Sequence, residues 1–270
     1  MALWFAALLG LVQGLTEFLP ISSTAHLAIT GAVFKQGDPG AAFTAIIQLG
    51  SLAAVIAYFA RDLFVDLPRA MFKDPSSPEG RLPFLIIVGS IPIVVAGLLL
   101  KRYIEGEARN LYVIAASLVI VGLVMAVIDR RGAGNRTMLD LGYTDALLLG
   151  LAQACALVPG VSRSGSTICM ALALGLTRPD AARFSFLLGI PAIAGAGFLQ
   201  LKEALSAAGP LPLAPLVIGT AVAAVSSYAS IAWLLKWLGS HRLLPFAIYR
   251  VAVGLIVAGL TLAGWLVASA

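Results

Sequence analysis

Charge is what this chain has least of. Eleven per cent of its 270 residues are Asp, Glu, Lys or Arg, against about a quarter in a soluble globular domain. With 60% hydrophobic residues and a mean hydropathy of +0.98, too few charges exist to cover a water-facing surface. The composition therefore implies lipid as the solvent. Cysteine is also scarce. Cys155 and Cys169 both fall in apolar stretches, where a small buried hydrophobe is expected rather than a disulfide or metal site. No Lys or Arg precedes the first apolar run and no small-residue cleavage site follows it, so a cleaved signal peptide is not expected. The net charge is +5, but the basic residues are scattered through short loops, which argues against a nucleic-acid partner.

Six uncharged stretches approach the roughly 17–25 residues that a membrane helix needs: Ala41–Ala60, Leu82–Leu100, Leu111–Ile128, Phe184–Leu201, Leu213–Leu235 and Val251–Ala270. Four others are shorter or interrupted: Met1–Thr16, Phe18–Phe34, Ala146–Ser162 and Ser164–Thr177. These form two pairs, broken near Pro20 and Pro159. Each pair reads as a re-entrant helical hairpin, because non-helical backbone at membrane depth needs protein or water to satisfy it.

The two halves resemble one another. Leu8–Leu27 and Leu148–Thr167 share a Leu-Leu-Gly-Leu-x-Gln opening, a Pro break and a Ser-rich restart. Ala41–Gly50 parallels Ala181–Gly189 at a similar offset. The expected fold is an all-α polytopic membrane protein of one domain, residues 1–270. Repeat one covers about 1–135 and repeat two about 140–270, each a hairpin plus three transmembrane helices. Three crossings put the second half on the opposite side, so the repeats are expected to be inverted.

Eleven loop Lys and Arg residues fall on one side (Arg61, Arg69, Lys73, Arg81, Arg130, Arg131, Arg136, Arg178, Arg183, Lys236 and Arg242), and five on the other (Lys35, Lys101, Arg102, Arg109 and Lys202). The richer side is expected to be cytoplasmic. Both termini then face outward, the first hairpin enters from outside and the second from the cytoplasm.

The breaks hold the polar residues. In the first, Gln13 and Glu17 are four apart and share a helical face. Ser22 and Ser23 open a new half-helix, and His26 follows Ser23 by three. In the second, Ser162, Arg163, Ser164, Ser166 and Thr167 follow Pro159-Gly160. Helix starts offer N–H groups and the positive end of the dipole to anions, and an Arg fork with hydroxyls suits phosphate oxygens. The pattern points to a site for a phosphorylated anion, with a carboxylate able to bind a divalent cation. Structural readings stand beside this one. Ser22 or Ser164 alone reads as helix packing, His26 reads equally well as a satisfied core histidine, and Glu17 and Arg163 could form an ion pair between the hairpins. Intramembrane Glu and Arg favour function. Gln48 is expected to make a helix-packing hydrogen bond. Arg250 is expected near a helix end, snorkelling to the interface, with reach to the site as the alternative. His241 lies in a short loop and needs no role.

At these residues the chain resembles the bacterial undecaprenyl-diphosphate phosphatase family, the bacitracin-resistance proteins. Its (E/Q)-x-x-x-E motif is matched by Gln13 and Glu17, and its P-G-x-S-R-S-x-x-T motif by Pro159 through Thr167. The similarity extends to 47–50, to 181–192 and to Tyr249-Arg250. It implies an integral enzyme of the bacterial cytoplasmic (inner) membrane that removes the terminal phosphate of undecaprenyl diphosphate, recycling the lipid carrier for peptidoglycan synthesis. Mg²⁺ or Ca²⁺ would assist. Carried over by position, Glu17, Ser23, His26 and Arg163 are the catalytic core. Ser162 and Thr167 bind phosphate, with Ser22, Ser164 and Ser166 beside them, and Glu17 and Gln13 are the metal-facing pair. Where many members carry acidic residues, this chain has Gln13 and Thr44. The partners implied are a polyprenyl diphosphate, membrane lipid and a second copy as a homodimer. Architecture alone suits a different class, a secondary transporter or flippase of an anionic or lipid-linked substrate.

Overall fold

In a computed structural model the described residues are 1–37, 40–100, 110–132, 134–206 and 213–267. Lys101, Arg102 and Arg109 of the loop-charge count lie outside them. Apolar sequence in lipid leaves the backbone no partner but itself, which favours helix. The described elements are accordingly helical: α1 (Leu3–Glu17), α2 (Ser23–Val33), α3 (Gly40–Tyr58), α4 (Leu67–Lys73), α5 (Pro78–Leu99), α6 (Leu111–Arg130), α7 (Tyr143–Cys155), α8 (Arg163–Ala173), α9 (Arg178–Ser206), α10 (Leu213–Leu238) and α11 (Leu244–Leu262). No strand occurs among the described residues. A parallel bridge pairs Arg136 with Leu176.

Helices α5, α6, α9, α10 and α11 are long and apolar enough to cross a membrane. A sixth span forms if α3 is counted with Asp62–Lys73, which bends from it by 66°. The protein is a multi-pass membrane protein. Side chains such as Ile87, Ile91, Val94 and Leu98 of α5 are exposed, as a lipid-facing stripe requires. Capping sets several starts: Ser77 accepts from Gly80 N at 3.1 Å and Asn110 accepts from Tyr112 N at 2.8 Å, supplying acceptors to otherwise unpaired N–H groups.

Three boundaries differ from the sequence reading. The last crossing begins at Leu244, not Val251, so Arg250 sits inside the helix and is fully buried. The run was cut at a charge whose cost the protein meets internally. Phe18 belongs to the turn rather than to α2, because Pro20 and a left-handed Ser22 (φ 76°) interrupt the helix. Residues 62–73, read as loop, form a π-helical turn (Asp62–Asp66) running into α4. Of the cysteines, Cys169 is buried as expected and Cys155 is exposed; both are free.

The halves pack alike. Helix α1 lies on α10, where a Cβ at Gly10 would come within 2.3 Å of Gly219 O. Helix α7 lies on α5, where a Cβ at Gly150 would come within 2.3 Å of Gly89 O. Only glycine permits these approaches. Each close pair brings a half-helix against a full crossing and so fixes the depth of a break.

Loop ion pairs collect on one face. Arg178 Nη2 donates to Asp129 Oδ1 at 2.6 Å, Arg136 Nη2 to Asp145 Oδ2 at 2.7 Å, and Arg183 pairs with Asp62. Asp129 also accepts from Leu244 N at 3.0 Å. The start of α9 and the ends of α3, α6 and α10 therefore share the Lys/Arg-rich side. Between this face and the hairpin tips runs the main core, which includes Phe18, Val55, Phe59, Ile168, Phe186 and Leu187. Phe18 and Phe186 meet edge to face at 5.1 Å.

Candidate active site

Two matching breaks meet in the bundle. Ser22 (φ 76°, ψ 100°) caps α2 and Ser162 (φ 73°, ψ 116°) caps α8. Their hydroxyls accept from Ala25 N at 3.4 Å and Gly165 N at 3.1 Å. Left-handed backbone at a non-glycine residue is strained, and such strain gathers at functional sites. Here it turns each chain sharply enough to aim a helix start into the protein.

The ends of α1 and α7, the starts of α2 and α8, and the walls of α3, α5 and α9 enclose a cavity of about 220 Å³. Its polar lining is Glu17, Ser22, Ser23, Thr24, Thr44, Gln48, Ser162 and Arg163. Ile93, Leu157, Pro159 and Ile193 add apolar surface. The α3, α5 and α9 residues that line it sit toward Gly40, Leu99 and Ser206, the ends remote from the loop ion pairs.

Glu17 is the hub. Its carboxylate is buried, and a buried charge costs several kcal/mol unless paired and hydrogen-bonded. Four donors meet it. Gln13 Nε2 donates to Oε2 at 2.9 Å, Ser23 Oγ to Oε2 at 2.6 Å, Gln48 Nε2 to Oε1 at 2.8 Å and Arg163 Nη2 to Oε1 at 3.3 Å. Both oxygens are satisfied twice, which fixes the direction of the carboxylate. Behind it, Ser227 Oγ donates to Ser51 Oγ at 2.8 Å, and Ser51 lies 3.5 Å from Gln13 Nε2.

Arg163 reaches Glu17 because Gly189 has no side chain. A Cβ there would fall 1.5 Å from the guanidinium Nη1. Nη1 also donates to Ser185 O at 3.4 Å, and Nε makes no hydrogen bond among the described residues.

Of the sequence-predicted residues, Glu17, Ser22, Ser23, Ser162 and Arg163 line the cavity. Five do not. Gln13 sits behind Glu17. Ser164 is fully buried and ties the hairpins together, its Oγ donating to Leu19 O at 3.1 Å. Ser166 Oγ donates to Arg163 O at 3.1 Å. Thr167 Oγ1 donates to the same carbonyl at 2.8 Å and lies 2.5 Å from Ser185 Oγ. Serine and threonine in helices satisfy themselves on backbone carbonyls, so these three hydroxyls are spent on the scaffold, contrary to the phosphate-binding expectation. The fifth is His26, whose Nδ1 lies 2.8 Å from Ser22 O and Nε2 2.8 Å from Tyr249 OH. Both nitrogens are taken, and Ser23 bonds Glu17 instead.

Three polar residues of the cavity were not assigned to the site from the sequence: Thr24, Thr44 and Gln48. The Gln48 hydrogen bond was expected, but its partner proves to be Glu17. A Gln at mid-crossing was the available signal; nothing in the spacing 17 to 48 names the acceptor. Arg250, expected at the interface, donates to Pro20 O at 3.0 Å, Gly160 O at 2.8 Å and Val161 O at 3.0 Å.

The chain that builds this site has relatives among known proteins. The family model described as bacitracin resistance protein BacA matches residues 6–256. The undecaprenyl-diphosphatase of Myxococcus xanthus is 49% identical over 263 residues, covering 95% of this chain and 88% of the relative. The undecaprenyl-diphosphatase of a Nocardioides species is 47% identical over 255 residues, covering 92% and 93%. That of a Synechococcus species is 49% identical over 273 residues, covering 97% and 94%. With the match running through nearly every element that builds the cavity, the chain belongs to the bacitracin resistance protein BacA family.

Proposed function

We propose that this protein is a membrane phosphatase that hydrolyses undecaprenyl diphosphate to undecaprenyl phosphate and inorganic phosphate. The observation that carries the reading is the Ser23 Oγ to Glu17 Oε2 hydrogen bond of 2.6 Å, at the wall of a cavity that also holds Arg163. A hydroxyl becomes a useful nucleophile when a base stands within hydrogen-bond reach. The family relatives named as diphosphatases point to the same chemistry, and nothing in the cavity favours the transport reading.

In the proposed mechanism the diphosphate lies against the starts of α2 and α8, where unpaired N–H groups and the helix dipoles favour anions. Arg163 holds its oxygens. Ser23 Oγ attacks the terminal phosphorus and its proton passes to Glu17. The new Oγ–P bond forms as the bond to the bridging oxygen breaks, and undecaprenyl phosphate leaves. Glu17 gives that proton to the departing undecaprenyl phosphate and is again a base. It then takes a proton from water, whose oxygen attacks the phosphoserine phosphorus, and passes it to Ser23 Oγ as the Oγ–P bond breaks. This releases inorganic phosphate and restores Ser23. Glu17 is assigned as base because Ser23 bonds it directly. Phosphoryl transfer asks chiefly for positioning and charge neutralisation, which fits a site built from fixed donors.

The implied Mg²⁺ or Ca²⁺ fits only as a shared ligand. Among the described residues no three His, Cys, Asp or Glu side chains gather to hold a metal. Gln13 Oε1 is buried without a hydrogen-bond partner among the described residues, so Gln13 and Glu17 would supply one carbonyl and one carboxylate. Mg²⁺ takes six oxygens, and the diphosphate and water would complete the shell. When bound, the cation would neutralise phosphate charge.

The architecture is read as an inverted repeat of two re-entrant hairpins, each with three crossings, in the bacterial cytoplasmic membrane. The matching Ser22 and Ser162 conformations support the repeat. The start of α7 beside the Arg136–Asp145 pair supports entry of the second hairpin from the basic face. With that face cytoplasmic, the cavity and both termini lie on the outer side, where a lipid diphosphate could enter with its tail in the bilayer.

Phosphate release from undecaprenyl diphosphate in detergent tests the reading. Wild-type protein should release it and Ser23→Ala and Arg163→Ala should not; full turnover in Arg163→Ala overturns the assigned site, and full turnover in Ser23→Ala removes Ser23 as the nucleophile.

A further inference from the structure

Two consecutive residues of α11 reach both breaks from outside the hairpins. Arg250 is 0% exposed. Its Nη1 donates to Pro20 O at 3.0 Å, two residues before Ser22. Its Nη2 donates to Gly160 O at 2.8 Å and Val161 O at 3.0 Å, the two residues before Ser162. A guanidinium carries its donors in a fixed plane, so these contacts lock the spacing of the two breaks. The partners are carbonyl oxygens, which the turns leave without helical donors.

Tyr249 acts on the first of these breaks by another route. Its OH lies 2.8 Å from His26 Nε2, and its ring is stacked on the imidazole with a centroid separation of 5.6 Å. His26 Nδ1 lies 2.8 Å from Ser22 O. A carbonyl can only accept, so Nδ1 carries the proton, and in the neutral ring Nε2 accepts from the tyrosine. The chain of bonds ends on the carbonyl of the residue held at φ 76°. Strained residues of this kind persist only where their surroundings over-determine them. Neither Tyr249 nor Arg250 lines the cavity.

We propose that Tyr249 and Arg250 are the positioning pair of the site, with His26 as the link, holding Ser22 and Ser162 left-handed so that both helix starts face the cavity. This rests on the reading of the cavity as the phosphate site, but its structural content can be tested apart from turnover.

Three readouts on the full chain in detergent test it. The first is backbone hydrogen exchange. In Arg250→Lys, whose single ammonium cannot span three carbonyls, exchange should rise at 18–25 and 159–166 while α5 and α10 stay as in the wild type. The second is ¹⁵N-histidine NMR. The chain has two histidines, so in a His241→Gln background one imidazole reports. It should show the Nδ1–H tautomer, and Tyr249→Phe should convert it to a tautomer mixture. The third is kinetics. Arg250→Lys should lower kcat about 10²-fold with KM little changed, as for a misplaced reacting group. Tyr249→Phe should lower it about fivefold, the loss of one hydrogen bond.

Unchanged exchange at both breaks in Arg250→Lys, or a rise spread evenly over all helices, overturns the proposal. If Arg250→Lys does not fold, Tyr249→Phe decides, and an unaltered tautomer with wild-type kcat overturns it. Absence of phosphate release by the wild type would instead defeat the phosphatase reading, with the exchange and NMR results still deciding the positioning role.

Discussion

Ser23 Oγ and Glu17 Oε2 lie 2.6 Å apart across the first break, six residues from each other in sequence. A continuous helix would not put them together, since only residues three or four apart are neighbours on its surface. The turn at 18–22 folds the restart back on the end of α1 and makes the pair. The predictions below concern the groups that converge on it.

Ser23→Ala should abolish turnover while leaving the fold intact, and Glu17→Gln should lower kcat by about 10²–10⁴-fold, the range of a lost general base. Brief incubation of wild type with terminally ³²P-labelled substrate should leave label on Ser23 after acid quench. Efficient turnover by Ser23→Ala would mean that water attacks directly.

Gly189→Ala should reduce activity although residue 189 carries no polar group. Its Cβ would occupy the space now held by Arg163 Nη1, pushing the guanidinium off Glu17. Arg163→Lys should be similarly weak, since an ammonium cannot reproduce the fork. Raised KM in both variants, with unchanged thermal unfolding, is the expected pattern; wild-type KM in Gly189→Ala would show that Arg163 tolerates displacement.

Gln48→Leu removes one of the two donors on Glu17 Oε1. Hydrogen bonds to charged groups contribute about 1.5–3 kcal/mol, so kcat/KM should fall roughly tenfold to a hundredfold. Gln48→Glu should be worse still, because it sets a second carboxylate against Glu17. Comparable rates for Gln48→Leu and wild type would return this residue to simple helix packing.

Chelation of divalent cations should suppress phosphate release, with recovery on adding Mg²⁺ or Ca²⁺. Because the protein offers few ligands, the cation concentration for half-recovery should track substrate concentration. Tight cation binding to substrate-free protein, measured by calorimetry, would contradict a shell completed by the diphosphate.

Much of this was legible in the chain. Low charge and long apolar runs gave the helical membrane architecture, since lipid admits little else. The Pro breaks and the residues beside them located Glu17, Ser23 and Arg163, because intramembrane polar groups stand out against an apolar background. Legibility failed where a hydroxyl had two possible uses. Ser164, Ser166 and Thr167 read like phosphate ligands, yet their oxygens bond Leu19 O, Arg163 O and Ser185 Oγ. Local pattern cannot show which acceptor a serine faces. It failed again at Arg250, where a charge looked like the end of a crossing.

The sequence by itself determined that the chain is helical and multi-pass, where the two breaks fall and which polar side chains they carry. These are local matters of hydropathy, proline and spacing. Only the tertiary structure decided how those groups are paired. Gln48 joins Glu17 from α3, Arg163 joins it across the hairpins through the space left at Gly189, and Arg250 bridges both breaks from α11. A buried charge must find its partners wherever packing brings donors and acceptors within reach. Here they come from residues 31 to 230 positions away, beyond anything a local pattern encodes.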